Sequence, residues 1–431
     1  MVTRLDHPLT LPCGAVLKNR LAKAAMTEGL ASAENRTTPD HARLYERWAK
    51  GGYGLLLTGN VVIDRRFLER PGNVVIDRNG GHDELAVYAK AGSQDDTHIW
   101  MQINHPGRQA GTGTETFVSA SENDLIGQEG VCRAMEPDEI EDLIERFILC
   151  ARVAQDTGFT GVQIHAAHGY LLSQFLSPLT NRRQDAWGGA LENRARPLLE
   201  ILRRTRVALG PDFPISVKLN SADFQTGGFQ EEESLQVIRW LQDDGLDLLE
   251  ISGGNYESMR MSGRDESMAL LDADDNSSTT KREAYFLDFA ARIRPHIRVP
   301  LMVTGGFRAR TVMEKALGSG ETDVIGLARP LCYDPEAGHR LLSGELERLT
   351  SPAEDFSLAP EQMEGLSEIE VSLMEVGVAG AYHFNQLRRL AAGLEAEAKI
   401  DGPDQIERNQ KLEAETQARY ASSWPPPEED A

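Results

Sequence analysis

The chain has 431 residues and a net charge of −22, from 45 Lys and Arg against 67 Asp and Glu, with 40% hydrophobic and 26% charged residues. A chain of this length and composition buries a large core without disulfide staples. Its acidic balance argues against nucleic acid or an anionic membrane as a partner, since both favour basic surface. The acid is concentrated: 17 acidic and 6 basic residues fall within 351–431, half of the net charge.

No run approaches the roughly 18 uncharged apolar residues that a membrane helix needs. The opening MVTRLDHPLT lacks the apolar centre of a signal peptide. The cysteines, Cys13, Cys132, Cys150 and Cys332, form no C-x2-C spacing for zinc or an iron–sulfur cluster. A cytoplasmic protein with reduced thiols and no structural metal is expected.

In chain order, Leu9–Pro12 and Ala15–Leu17 flank Cys13-Gly14 as a small β-hairpin. Eight short β-branched or apolar runs follow: Arg20–Met26, Tyr53–Gly59, His98–Asn104, Gly161–Ala166, Pro214–Asn220, Asp247–Ser252, Pro300–Thr304 and Asp323–Ala328. Between them lie helix-period segments. Asp138–Gln155 is entered at Glu136-Pro137, Asn193–Leu209 is left at Gly210-Pro211, and Glu231–Asp244 and Lys281–Arg294 read the same way. Eight β/α alternations predict an α/β fold, a closed (β/α)8 TIM barrel, with a doubly wound open sheet as the rival. Three connections after strands are long: His105–Pro137, Ala167–Glu192 and Gly253–Thr280. In a barrel they all fall on the catalytic face. Beyond the barrel, Pro360–Val378, His383–Ala398 and Asp404–Arg419 carry helical patterns, and SSWPPPEEDA reads as a frayed tail. The expected organisation is a barrel over 1–345 and an acidic helical C-terminal extension over 346–431. That extension packs on the barrel or on a sister subunit of a homo-oligomer.

Alternation sorts the strand residues by face. Gln102 and Asn104 share one face of their strand, Gln163 and His165 share another, and Lys218 and Glu250 stand opposite apolar neighbours. Singly, Gln102 can fill a polar layer and Lys218 can pair with Glu250; together these groups converge on the face where barrels place their sites. His165, His168 and Tyr170 lie within six residues at a strand end, and Gly169 permits a tight turn. Two imidazoles aimed at one point suit a carbonyl oxygen or developing oxyanion. A phenol, with an ordinary pKa of about 10, is a proton donor at neutral pH. A metal pair and a satisfied structural histidine are the alternatives. Gly305-Gly306 follows the seventh run and Ala328-Arg329 the eighth, the usual phosphate grip of this barrel.

At these residues the sequence resembles the Old Yellow Enzyme family of FMN-dependent ene-reductases, or NADH:flavin oxidoreductases, over roughly Leu9 to Pro335. Ile164–Ile201, IHAAHGYLLSQFLSPLTNRRQDAWGGALENRARPLLEI, carries most of the likeness, with support from QINHPGRQ at Gln102–Gln109 and LKNRLAKAAM at Leu17–Met26. The resemblance implies FMN as cofactor and NADPH or NADH as hydride donor. The substrate would be a small enone or enal whose C=C bond is reduced. It implies that Ala24, Ala25, Met26 and Thr27 line the flavin, with Thr27 at its O4 edge. Gly59 and Gln102 would contact the pyrimidine part, and Lys218 would replace a more usual Arg near N1 and O2. Gly305, Gly306, Ala328 and Arg329 would hold the phosphate. His165 and His168 would grip the substrate carbonyl, and Tyr170 would donate the proton. Asn104 stands where some relatives have a bulky Trp, and Gly29 where another branch has a Tyr, which implies a roomier substrate pocket. The alternative activity is a redox-neutral or O2-linked NADH oxidase reaction in a biosynthetic pathway.

Overall fold

A computed structural model describes residues 3–111, 116–123, 131–252, 287–354, 356–400 and 402–423. Eight parallel strands form a ring: β1 (Leu21–Lys23), β2 (Leu55–Val62), β3 (His98–Asn104), β4 (Gly161–Ala166), β5 (Ile215–Asn220), β6 (Leu248–Ser252), β7 (Leu301–Thr304) and β8 (Val324–Leu327). Pairing of β8 with β1 and of β1 with β2 closes it, which excludes the open sheet. Seven of the eight expected runs contain their strand, and the second strand starts within Tyr53–Gly59 and runs on to Val62.

The period of two explains both cores. Leu21, Leu56, Met101, Ile164, Val217, Leu249 and Val303 point outward into the layer shared with the helices. Ala22, Ala24, Leu55, Leu57, Trp100, Leu248, Met302 and Val324 point inward. The N-terminal hairpin, Leu9–Thr10 against Val16–Leu17, is antiparallel. Its Leu9, Leu11 and Leu17 join the inward cluster and cork the barrel floor. Each such aliphatic side chain gains about 1.5–3 kcal/mol by leaving water. The strand ends opposite this cork are left to polar residues.

The long connections differ in what they form. Residues 105–137 hold a short parallel pair, Thr116–Ser119 with Val131–Ala134. Residues 167–192 hold the helix Leu171–Leu176. The third, Gly253–Thr280, lies outside the described residues, as does the Pro-rich tail from Trp424.

The extension departs from the expected helices. Glu368–Ala391 is one helix, not two, followed by Asp404–Ser423. It begins at a reciprocal cap, where the Ser367 hydroxyl accepts from the Glu370 N–H and the Glu370 carboxylate accepts from the Ser367 N–H. Gly377 and Gly380 lie inside it and cost about 1 kcal/mol each relative to Ala. Burial of Val378, Ala381, Tyr382 and Leu387 offsets that cost. Gly377 also has a packing reason: a methyl there would lie 3.3 Å from Ile406 of the last helix. Leu387, Leu390 and Ala391 join the outer core of the barrel. Arg47 pairs with Glu395 at 2.7 Å and Arg70 with Glu413, so part of the acid of the extension faces arginines of the barrel.

Candidate active site

The predicted site residues all lie at or just beyond the C-terminal ends of strands, on one face of the ring. At β1, Ala24 is tied to β8 through its N–H to the Leu327 carbonyl, 2.7 Å. Met26 touches the Cys332 sulfur at 3.6 Å, and the Thr27 hydroxyl donates to Glu69 at 3.0 Å. In β2 the register against β3 shifts between Leu57 and Asn60. A bulge of this kind re-aims the backbone beside a site. The Thr58 hydroxyl accepts the Gln102 N–H, and the Gly59 N–H turns to the buried Glu28 carboxylate at 2.8 Å. A methyl on Gly59 would stand 2.1 Å from the other Glu28 oxygen, so only glycine fits.

The polar residues of β3 to β6 are wired together. Gln102 donates to Gln163 at 2.7 Å, and Gln163 donates to Glu250 at 2.8 Å and to Ser216 at 3.1 Å. Lys218 forms an ion pair with Glu250 at 3.0 Å, both almost fully buried. Of the two expectations for Lys218, the structure shows the pairing with Glu250. One layer above, both amide atoms of buried Asn104 are without a partner.

His165 and His168 lie edge to face with ring centres 5.1 Å apart, and the Tyr170 ring lies 5.0 Å from His165. The turn that brings them together is strained, since His168 has φ +63°. Its N–H is held by Asn220 at 3.1 Å, and its Nε2 lies 2.5 Å from the Ser252 hydroxyl. The Ala167 N–H donates to His165 Nδ1 at 3.2 Å, which leaves Nε2 to carry the proton. Burial and the neighbouring Lys218 hold both imidazoles well below the usual histidine range. Both are therefore neutral donors at pH 7. Tyr170 is buried and its hydroxyl lies 3.4 Å from the Asn60 amide, which in turn reaches Glu69 at 3.3 Å. Asn60, Glu69, Ser252 and Glu28 were not singled out in sequence; cross-strand register and loop paths bring them in.

Beyond β7 and β8, Gly305 and Gly306 have φ of +119° and +83°. The Thr304 hydroxyl is buried without a partner. Arg329, in the 3-10 turn Arg329–Cys332, is exposed and makes no hydrogen bond or ion pair among the described residues. Among the described residues no group of His, Cys, Asp and Glu is placed to hold a metal.

A closed barrel with neutral hydrogen-bond donors over one end and an unspent cation beside glycine turns is the framework of a flavin oxidoreductase. The chain belongs to the NADH:flavin oxidoreductase / NADH oxidase family, whose family model matches residues 5–347. This is the Old Yellow Enzyme family, and the chain is an NADH- or NADPH-dependent flavin oxidoreductase with FMN as cofactor. It is 37% identical over 354 residues to the NADH-dependent flavin oxidoreductase iccE of Talaromyces variabilis, covering 77% of this chain and 84% of that protein. It is 28% identical over 342 residues to the NADPH dehydrogenase of Bacillus subtilis, covering 78% and 93%. A solved 2-naphthoyl-CoA reductase superposes with a TM-score of 0.73 at 25% identity over 89% of this chain; the chain spans 58% of that longer protein. The residues present fit FMN: Arg329, without an ion-pair partner among the described residues, and the orphaned Thr304 hydroxyl suit a phosphate, and the orphaned Asn104 amide faces the same end of the ring. No described helix is long and apolar enough to cross a membrane, and all four cysteines are free.

Proposed function

We propose that this enzyme reduces the C=C bond of α,β-unsaturated carbonyl compounds with NADH or NADPH. The observation that carries this reading is the pair of neutral imidazoles 5.1 Å apart with a buried phenol beside them. FMN, when bound, would supply the hydride-transfer chemistry that links NAD(P)H to the β-carbon of the substrate. His165 and His168 hydrogen-bond the carbonyl oxygen and draw electron density from the alkene. Tyr170 gives its proton to the α-carbon. Its place in the pocket is fixed by its own burial and by the Asn60 amide. Ala24, Ala25, Met26, Thr27 and Gly59 line the cofactor, Gln102 and Lys218 hold its ring, and Gly305, Gly306, Ala328 and Arg329 hold its phosphate. Asn104 faces the substrate, and its unpaired amide suits an oxygen-bearing one.

The test separates the half-reactions by anaerobic stopped flow. NADH or NADPH should bleach the flavin and 2-cyclohexenone should restore its colour. In Tyr170→Phe the second step should slow by about 10²–10⁴-fold, the worth of a placed general acid, with the first nearly unchanged. Equal loss in both steps overturns the role of Tyr170. A parent enzyme re-oxidised by O2 but by no enone overturns the substrate class.

A further inference from the structure

The long helix of the extension, Glu368–Ala391, packs directly on the turn Arg329–Cys332. It carries His383 into that contact. The residue is 9% exposed, and neither ring nitrogen has a hydrogen-bond partner. The carbonyl of Ala379, one turn back, favours protonation of the ring but is not met in hydrogen-bond geometry. The charges that act on the imidazole are those of Arg329 and Arg308. Arg308 is already engaged, pairing with Glu354 and donating to the Phe307 carbonyl at 2.9 Å. Arg329 is not. A buried imidazole without a partner is costly, and Arg329 and Arg308 keep it neutral, with one N–H to donate. An anion between Arg329 and His383 accepts that hydrogen bond and neutralises the guanidinium.

We propose that His383 donates a hydrogen bond to the FMN phosphate, so that the C-terminal extension completes the cofactor site. This rests on the assignment of Arg329 and its neighbouring turns to the phosphate. The long helix then lines the phosphate on the side of the buried His383, whose hydrogen bond to the anion is charge-assisted.

The experiment titrates the flavin-free full-length protein with FMN and with riboflavin, reading quenching of flavin fluorescence. His383→Leu should weaken FMN binding by about tenfold, the usual worth of a hydrogen bond to a charged group, and leave riboflavin binding unchanged. His383→Gln, which keeps a donor, should recover most of the loss. FMN affinity at the parent level in His383→Leu, or an equal loss for both flavins, overturns the proposal. Arg329→Met serves as the reference. If it collapses the preference for FMN over riboflavin while His383→Leu does not, only the role of His383 falls. If neither does, the phosphate assignment itself falls.

Discussion

Two parts of the same rim treat their buried polar groups in opposite ways. From β3 to β6, Gln102, Gln163, Ser216, Glu250 and Lys218 are joined in a continuous chain of hydrogen bonds and one ion pair, in which Glu250 Oε1 meets Lys218 as a charge and accepts no hydrogen bond. At Asn104, Thr304 and His383 the polar atoms are buried and unmatched, and Arg329 makes no ion pair among the described residues. A closed network of this kind rigidifies what it joins. Orphaned donors and acceptors cost stability in the empty protein and repay it when a ligand arrives. The first part reads as the scaffold that fixes the imidazoles above it and presents Gln102 and Lys218 to the cofactor, and the second as the surface whose polar atoms only cofactor and substrate can match.

That contrast can be broken most forcefully at Glu250. Glu250→Ala leaves the Lys218 ammonium buried and unpaired and deprives Gln163 of an acceptor. The expected loss is about 3–5 kcal/mol by chemical denaturation. Lys218→Met together with Glu250→Leu should restore most of it, and a single-variant loss under about 1 kcal/mol would show that the network is no scaffold.

Lys23 gives a third arrangement and a smaller effect. It is fully buried outside the ring, donating to the Tyr45 hydroxyl at 2.7 Å and the Leu57 carbonyl at 2.6 Å. Its Nζ lies 4.6 and 4.5 Å from the Tyr45 and Trp48 ring centres. Burial takes it down to about 8, against about 10.4 in an unfolded chain. Between these values the unfolded chain holds a proton that the folded protein has lost, so stability rises with pH across that window. The stability of Lys23→Met relative to the parent should therefore decline from pH 8 to pH 10, measured by urea midpoints. A difference that stays flat over that range would mean that the hydrogen bonds hold the charge without penalty.

The smallest effect belongs to the unmatched side. Asn104→Leu removes an amide that has no partner, so stability should change by less than about 1 kcal/mol or rise, while Gln163→Leu, in the wired part, costs more. Equal losses by thermal unfolding would erase the distinction between the two regions.

Much of this was legible in the sequence, for physical reasons. A period of two and Gly-Pro punctuation located all eight strands, and the same alternation put Gln102, Gln163, Lys218 and Glu250 on the inner face. Which of them touch is a matter of cross-strand register, such as Gln102 opposite Gln163 and Lys218 opposite Glu250, and no single strand carries that information. Glu28 and Glu69 come from loops whose paths have no periodicity to read. Pro360–Val378 and His383–Ala398 read as separate helices where the chain instead runs one helix through Gly377 and Gly380, trading local propensity for burial against the barrel. His383, more than fifty residues beyond Arg329, had no local signal at all.

One consequence concerns how this sequence is free to drift. The Gly59 amide and the Glu28 carboxylate occupy each other's space: the glycine has no room for a methyl because the carboxylate is there, and the carboxylate binds there because the glycine leaves its N–H bare. Tyr45 donates to the same carboxylate and accepts from Lys23, which ties a helix and the first strand to the arrangement. None of these four positions can change alone without opening a hole or stranding a charge. They form one inherited unit, and substitutions among descendants of this chain are expected to arrive there in concert.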